Sequence, residues 1–485
     1  MNLSPLPIET LQGWLSVRQR SATSVDDLIC SEAVIFKMLN IKKAPRVIRS
    51  AFFLQQFFFS VCFTISPIRC RVMKKKIVVV GCGFGGLQFV NHLPKGVYDI
   101  MVIDKINHHQ FPPLFYQVAA SQIEPATISF PIRKIFQKRR DVRIRLTQVL
   151  AVDDVNKVVE TNIGLFAFDY LVIATGTRTN FFGNNSTAEH ALELKSTYQA
   201  INVRNYILYN FEKLLYAENK EGLYNIVIVG GGATGVELAG AFAEMTREIL
   251  PKDYPNIDAG KVHVYLLEGG PHTLAAMSPF AQKYSENYLR SMGVNVKTGT
   301  LVQDYDGERV ALNTGETIPT RNVIWSAGVI GNLISGLPGE SILRSGRISV
   351  DRYNRVKGLK NVFAIGDVAY METEKYLKGH PQLANVAIGQ GKNLAKNLQK
   401  IDAGVDDLKP YEYRNLGTMA TVGRNKAVVD LPFVKFKGRF AWFVWMFLHL
   451  MLILSVRNKL VIFINWAWNY FTRNNSLRLI LKDTD

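Results

Sequence analysis

The chain has 485 residues, enough for about three domains at roughly 150 residues each, so one small fold does not account for it. At 48% hydrophobic and 20% charged, with 36 Gly and 18 Pro, the composition excludes a collagenous, disordered or low-complexity polymer. The 58 Lys and Arg against 40 Asp and Glu leave a net charge of +18, which favours an anionic partner, either nucleic acid or an acidic membrane surface. The 4 cysteines, at Cys30, Cys62, Cys70 and Cys82, contain no C-x-x-C pair and exclude a disulfide scaffold. The histidines are scattered, and the one close pair, His108-His109, has no Cys or carboxylate at ligand spacing, so no metal is expected.

Residues 1–72 show no clear period. Their apolar run Ala51–Ile68 is interrupted by Gln55, Gln56, Ser60 and Thr64 and is followed by Arg69 and Arg71. This stretch reads as an N-terminal extension outside the working domains, with a targeting or anchoring segment as the alternative; Met73 before Lys74-Lys75-Lys76 reads as a natural beginning.

From Lys76 the text becomes strand, glycine turn, helix, strand: Ile77-Val78-Val79-Val80, then Gly81-Cys82-Gly83-Phe84-Gly85-Gly86, a helical stretch to Leu93, and Ile100 to Asp104. The basic residues Arg133-Lys134 and Lys138-Arg139-Arg140 read as a solvated helix face, and no nucleic-acid module accompanies them. The βαβ pattern returns at Ile226-Val227-Ile228-Val229, followed by Gly230-Gly231-Gly232-Ala233-Thr234-Gly235, a helix to about Ile249, and Val262 to Glu268. One G-x-G-x-x-G is a common accident, whereas two in strand-turn-helix context predict two dinucleotide sites. In each loop the first glycine (Gly81, Gly230) allows the tight turn. The second (Gly83, Gly232) admits a pyrophosphate to the backbone N–H groups, and the third (Gly86, Gly235) packs helix on strand. Asp104 and Glu268 then stand at strand ends where a carboxylate binds ribose hydroxyls and repels a 2′-phosphate. No Arg follows Glu268, so the second site is expected to prefer NADH over NADPH. The long spacing from Gly235 to Glu268 implies an insertion around Pro251 to Gly260. The last 50 or so residues alternate apolar blocks with basic punctuation: Ala441–Val456, then Arg457-Asn458-Lys459, then Leu460–Phe471. Neither block reaches the roughly 20 residues of a spanning helix.

Two further segments, Leu171 to Ala174-Thr175-Gly176 and Asn361 to Gly366-Asp367, are strands that run into tight turns. With them the chain resembles the two-dinucleotide-binding-domain flavoproteins. The resemblance implies that Ala174-Thr175-Gly176 passes beside FAD and that Asp367 holds its ribityl chain. It further implies an α/β fold of two Rossmann-like domains, the NAD domain inserted in a discontinuous FAD domain: 73–193 and 331–430 for FAD, 194–330 for NADH, and 431–485 for membrane association. Asn107 to Ala119, Gly230 to Gly240 and Trp325-Ser326-Ala327-Gly328-Val329 resemble one branch, the type II NADH dehydrogenases. That branch implies FAD as cofactor, NADH as substrate, a membrane quinone as acceptor and no proton pumping. Glu237 would then sit near nicotinamide and flavin, as the catalytic residue, and Ala327-Gly328 would line the nicotinamide pocket. The branch's quinone-side motif A-Q-x-A-x-Q-Q-G stands here as Ala384-Asn385-Val386-Ala387-Ile388-Gly389-Gln390-Gly391. Asn385 thus shortens one amide and Gly389 removes the other, while Ala384 and Gln390 remain. That change keeps two alternatives in play: a membrane-docked NADH-binding redox sensor and an oxidase that passes electrons to oxygen. Disulfide reductases and sulfide:quinone oxidoreductases relay electrons through cysteines, and the chain has none after Cys82. Cys82 itself is expected to be a small packed residue.

Trp442, Trp445, Trp466, Trp468 and Tyr470, with Arg439, Arg457, Lys459 and Arg473, predict amphipathic helices lying on an anionic membrane surface. The expected location is the cytoplasmic face of the cell inner membrane. The same aromatic stripe equally suits a buried hairpin or a homodimer contact, and His449 within it is expected to be packed.

Overall fold

The computed structural model describes residues 74–473 and 477–481; the N-terminal extension and its run Ala51–Ile68 lie outside the described residues. The continuous apolar run of Lys76–Val80 (β1) takes the centre of a parallel sheet, flanked by Asp99–Asp104 (β2) and then Val142–Leu146 (β3) on one side. On the other side lie Tyr170–Ile173 (β4) and then Val362–Ala364 (β10), the last of these entering from far along the chain. In register, Ile77 faces Ile100 and Tyr170, and Val80 faces Ile103 and Ile173. Parallel strands covered on both faces need apolar residues at every position, which is why these runs do not alternate. Ile77, Val79, Ile100, Val102 and Val172 pack under the helices Phe84–His92 (α1) and Ala384–Asp402 (α5). Val78, Val80, Met101, Ile103, Leu171 and Ile173 form the opposite core with Val159, Ile348 and Val362.

Between β4 and β10 the chain passes through the short helix Asn185–His190 (α2) and builds a second parallel sheet. Its strands are ordered Leu192–Glu193 (β5), Asn322–Trp325 (β9), Asn225–Val229 (β6), His263–Leu267 (β7) and Asn295–Lys297 (β8). The helices Thr197–Tyr216 (α3) and Ala233–Glu244 (α4) cover one face. The insertion expected around Pro251 to Gly260 is a continuation of α4: a π-helical turn over Met245–Ile249, a short helix Leu250–Asp253 and a connector into β7. The strands Thr177–Thr179 and Val329–Gly331 pair antiparallel, joining the two sheets.

The chain closes with an antiparallel sheet, Thr418–Thr421 (β11), Ala427–Asp430 (β12) and Lys435–Lys437 (β13), and two helices, Arg439–Leu452 (α6) and Val456–Thr472 (α7). The helices do not break at Arg457-Asn458-Lys459, where the sequence reading put the interruption. Asn458 is buried in the first turns of α7, its amide donating to the carbonyls of Ala126 (3.2 Å) and Thr127 (2.9 Å). Two aromatics expected at a lipid surface also turn inward: Trp445 and Trp466 belong to the core beneath the second sheet. Arg139 departs from the solvated face expected of its basic run. It is buried against Asp141 at 2.7 Å and donates to the carbonyls of Val90 and Leu93, which end α1.

Candidate active site

β1 runs directly into Gly81, whose φ of +100° suits glycine alone, and a Cβ there would stand 2.3 Å from the carbonyl oxygen of Ala174. A Cβ on Gly86 would stand 2.0 Å from the Gly81 oxygen, whereas nothing lies within 4 Å of the Cβ position of Gly83. Two glycines therefore close the turn. The third leaves open space over the start of α1, where the first-turn N–H groups have no partners within the helix. At the end of β2, Asp104 Oδ2 accepts from Cys82 N–H (2.7 Å) and Oδ1 from Ile106 N–H (3.1 Å). Burial raises its carboxyl above the ordinary range, and those amides oppose the rise. His109 sits beneath the loop with Nδ1 2.9 Å from the Cys82 oxygen, a supporting role the sequence did not suggest. Cys82 is itself buried.

The second loop repeats this construction. Gly230 has φ +107° and would meet Ala327 at 2.7 Å, Gly235 would meet the Gly230 oxygen at 1.8 Å, and Gly232 is open. Glu268 takes the place of Asp104, accepting from Gly231 N–H and Gly270 N–H, both at 2.6 Å. Each loop is braced by the strand end beside it. Ala174 N–H donates to the Val80 carbonyl (2.7 Å), and Ser326 Oγ donates to that of Val229 (2.8 Å), while Thr175 Oγ1 donates to the Asn332 carbonyl (2.6 Å). Gly176 (φ +67°) has nothing within 4 Å of a Cβ, while Gly328 (also φ +67°) faces the Phe182 ring. Two open glycines, each at a helix start with a strand-end carboxylate alongside, suit two dinucleotides.

Gly366, with φ +75°, begins the turn that carries Asp367. Its N–H donates to Gln390 Oε1 at 2.7 Å. Gln390 is only 1% exposed, so the structure places it as a brace for this turn and not on an open face. Burial raises the Asp367 carboxyl, and the charges of Lys195 and Arg347 oppose that rise. Ala384 and Asn385 open α5 immediately after Gln382, whose amide donates to the Asp367 carbonyl (3.0 Å).

Glu237 is buried on α4, and desolvation pushes its carboxyl up to about 8. Its Oε1 lies 3.4 Å from Thr421 N–H on β11. From there a polar chain continues: the hydroxyls of Thr421 and Tyr116 are 3.0 Å apart, Gln117 donates to Tyr116 (2.9 Å), and Trp466 Nε1 donates to Gln117 Oε1 (2.8 Å). The chain borders a cavity of about 80 Å³ between α4 and the terminal helices, which Glu244, Glu248 and Arg424 also line. None of these partners was legible in the sequence, because they come from segments remote from α4. His449 is packed, its ring stacked on Trp445 at 3.9 Å, and burial lowers its basicity to about 4.

Residues 75–391 match the pyridine nucleotide-disulphide oxidoreductase family, and residues 415–474 match the NDH2 C-terminal domain. The type II NADH:quinone oxidoreductase Ndh of Mycobacterium tuberculosis is 32% identical over 428 residues, covering 84% of this chain and 90% of that protein. The chain belongs to the type II NADH:quinone oxidoreductases. A second relative in the family, NdhA of the same organism, is 31% identical over 82% of this chain and 88% of its own length. In fold the chain is similar to NDH2 of Plasmodium falciparum, solved in complex with NADH, with a TM-score of 0.78 at 20% identity over 84% of this chain and 100% of that one. The sulfide:quinone oxidoreductase of Aquifex aeolicus is more distant, with a TM-score of 0.64 at 19% identity over 82% of this chain and 96% of that one.

One departure from the family motif has a visible counterpart. A Cβ on Gly389 would stand 2.4 Å from the hydroxyl of Tyr411, so a phenol occupies the space where a side chain would begin. Sequence reasoning passed over Tyr411, which lies outside every motif.

Proposed function

We propose that the chain oxidises NADH with FAD as its resident carrier and delivers two electrons to a membrane quinone, without moving protons across the bilayer. The observation that carries this reading is the paired open-glycine loops, each with its own strand-end carboxylate. On this reading residues 73–193 and 331–430 hold FAD, residues 194–330 hold NADH, and residues 431–485 meet the membrane.

Bound FAD supplies a ring that takes a hydride from NADH and returns two electrons to the quinone. The protein binds, orients and shields. Gly83 and the start of α1 receive the FAD pyrophosphate, Asp104 its ribose and Asp367 its ribityl chain, with Gln390 fixing the turn on which Asp367 stands. Gly232 and the start of α4 receive the NADH pyrophosphate, Glu268 the adenosine ribose, and Ala327-Gly328 the nicotinamide. Glu237, with its carboxyl pushed up to about 8, holds its proton at neutral pH and adds no negative charge to a region that receives a hydride.

Attachment to the cytoplasmic face of the inner membrane is supported by the outward side of α6 and α7, where Phe443, Phe447, Phe463, Ile464 and Trp468 are exposed. The nearby exposed Arg439, Arg457 and Arg473 suit anionic headgroups. Among the described residues no helix is long and apolar enough to cross a membrane.

The test is anaerobic reduction of the purified flavoprotein by NADH, followed by reoxidation with a panel of benzo- and naphthoquinones. Reoxidation by a quinone faster than by air supports the reading; reoxidation by oxygen alone replaces it with an NADH oxidase. Reconstituted in vesicles with quinone, the protein should generate no membrane potential.

A further inference from the structure

Resting on the function proposed above, we propose that the Tyr411 hydroxyl donates a hydrogen bond to a carbonyl oxygen of the quinone, working beside Asn385 on one face of α5. Positions 385 and 389 are four residues apart and lie one above the other on that helix. Asn385 is exposed there, and its side-chain amide has no partner among the described residues. Gly389 contributes no side chain, and the volume it leaves is filled by the phenol of Tyr411, reaching in from a segment beyond α5. Among the described residues the hydroxyl has only a long contact, 3.4 Å to the carbonyl of Val386, so its proton lacks a well-placed acceptor there.

The phenol is held firmly. The Tyr411 backbone donates to the Arg352 carbonyl (2.8 Å) and accepts from Arg352 Nε (3.0 Å), and the ring meets His380 edge-on at 5.4 Å. Burial and neighbouring acidic groups push the phenol up to about 12, which keeps it a donor at working pH. The start of α5 also adjoins the turn assigned to FAD: Gln382, three positions before Asn385, donates its side-chain amide to the Asp367 carbonyl (3.0 Å). Two donors without good acceptors, one helical turn apart and beside that turn, match a ligand whose hydrogen-bonding groups are carbonyl oxygens only. A quinone is such a ligand.

The test uses the FAD-loaded full chain. Tyr411→Phe keeps the ring and removes the hydroxyl; Gly389→Ala places a methyl where the hydroxyl sits. Each should lower kcat/KM for quinone about five- to twentyfold, mainly through KM. Single-turnover flavin reduction by NADH, and turnover with ferricyanide, should stay within about twofold of the parent. Affinity of the oxidised enzyme for a quinone headgroup, read from quenching of flavin fluorescence, should fall by the same factor as kcat/KM. Unchanged quinone kinetics in both variants, or an equal loss in the NADH half-reaction, would overturn the proposal and leave Tyr411 as a space filler. A parent flavoprotein that NADH reduces but no quinone reoxidises would instead overturn the function on which the proposal rests.

Discussion

Glu237 and Glu268 belong to the same sheet-and-helix layer, yet their surroundings give them opposite duties. Glu237 is buried, and the long contact from the Thr421 amide and the Trp445 side chain oppose that burial only in part, so its carboxyl rises from an ordinary 4.5 to about 8. A raised acid binds its proton more tightly when folded than when unfolded. Stability is therefore undiminished below pH 4.5, falls as pH rises through the interval, and carries the full cost of a buried charge above about 8. Glu237→Gln should stabilise the protein relative to the parent at pH 9 by an amount on the order of a few kcal/mol, seen as a higher Tm, with no gain at pH 4.5, as thermal unfolding at the two pH values will read. Glu268 uses both oxygens on backbone amides at a strand end, where a 2′-phosphate would meet its charge. NADH should exceed NADPH in kcat/KM by about tenfold or more. Glu268→Ser with Gly270→Arg should narrow the gap. Position 270 suits the added Arg because a Cβ there meets only the Glu268 carboxylate, whereas one on Gly269 would stand 2.4 Å from Leu301.

Among the elements, the two glycine-loop units are near copies, and single methyl groups should tell their cargoes apart. Gly86→Ala drives a Cβ against the Gly81 oxygen and should yield protein with little bound flavin. Gly235→Ala does the same at Gly230 and should keep its flavin while losing most of its rate of reduction by NADH; absorbance spectra and stopped-flow traces separate the two. These units were legible in the sequence because each condition they impose falls on consecutive residues: an apolar strand, a turn only glycine fits, a helix start and an acid at the next strand end. Gln390 and Tyr411 were not legible in the same way. The brace from Gln390 to Gly366 spans 24 positions, and the phenol fills the space at Gly389 from beyond the end of α5. A local pattern contains no sign of either contact. The break between α6 and α7 was misplaced for a related reason: a charged tripeptide reads as a loop until the carbonyls that receive Asn458 are known.

For the molecule as a whole, the proposed function gives the terminal helices two jobs at once, packing against the second sheet and meeting the membrane. Trp445, Ile462 and Trp466 pack in the core shared with the second sheet, so truncation near Pro432 would open the core. Point changes on the outward side separate the jobs. Phe443→Ser with Phe447→Ser, Phe463→Ser and Ile464→Ser should abolish co-sedimentation with anionic vesicles and leave NADH:ferricyanide turnover within about twofold. Binding of the parent should weaken with salt through Arg439, Arg457 and Arg473. Composition marks an aromatic, basic tail; which of its aromatics are exposed, such as Phe443 and Phe463, and which are buried, Trp445 and Trp466, is set by packing, which composition does not encode.

With α6 and α7 seated in the core, the membrane attachment proposed for them also bears on how the protein would leave the bilayer. A peripheral enzyme tethered by a linker can be clipped free and persist as a soluble fragment. Here a cut between α6 and α7, in the short stretch Ile453–Ser455, would leave both pieces held by Trp445 and Trp466. Limited digestion of vesicle-bound protein should therefore release no active fragment, the cut halves staying joined through the core.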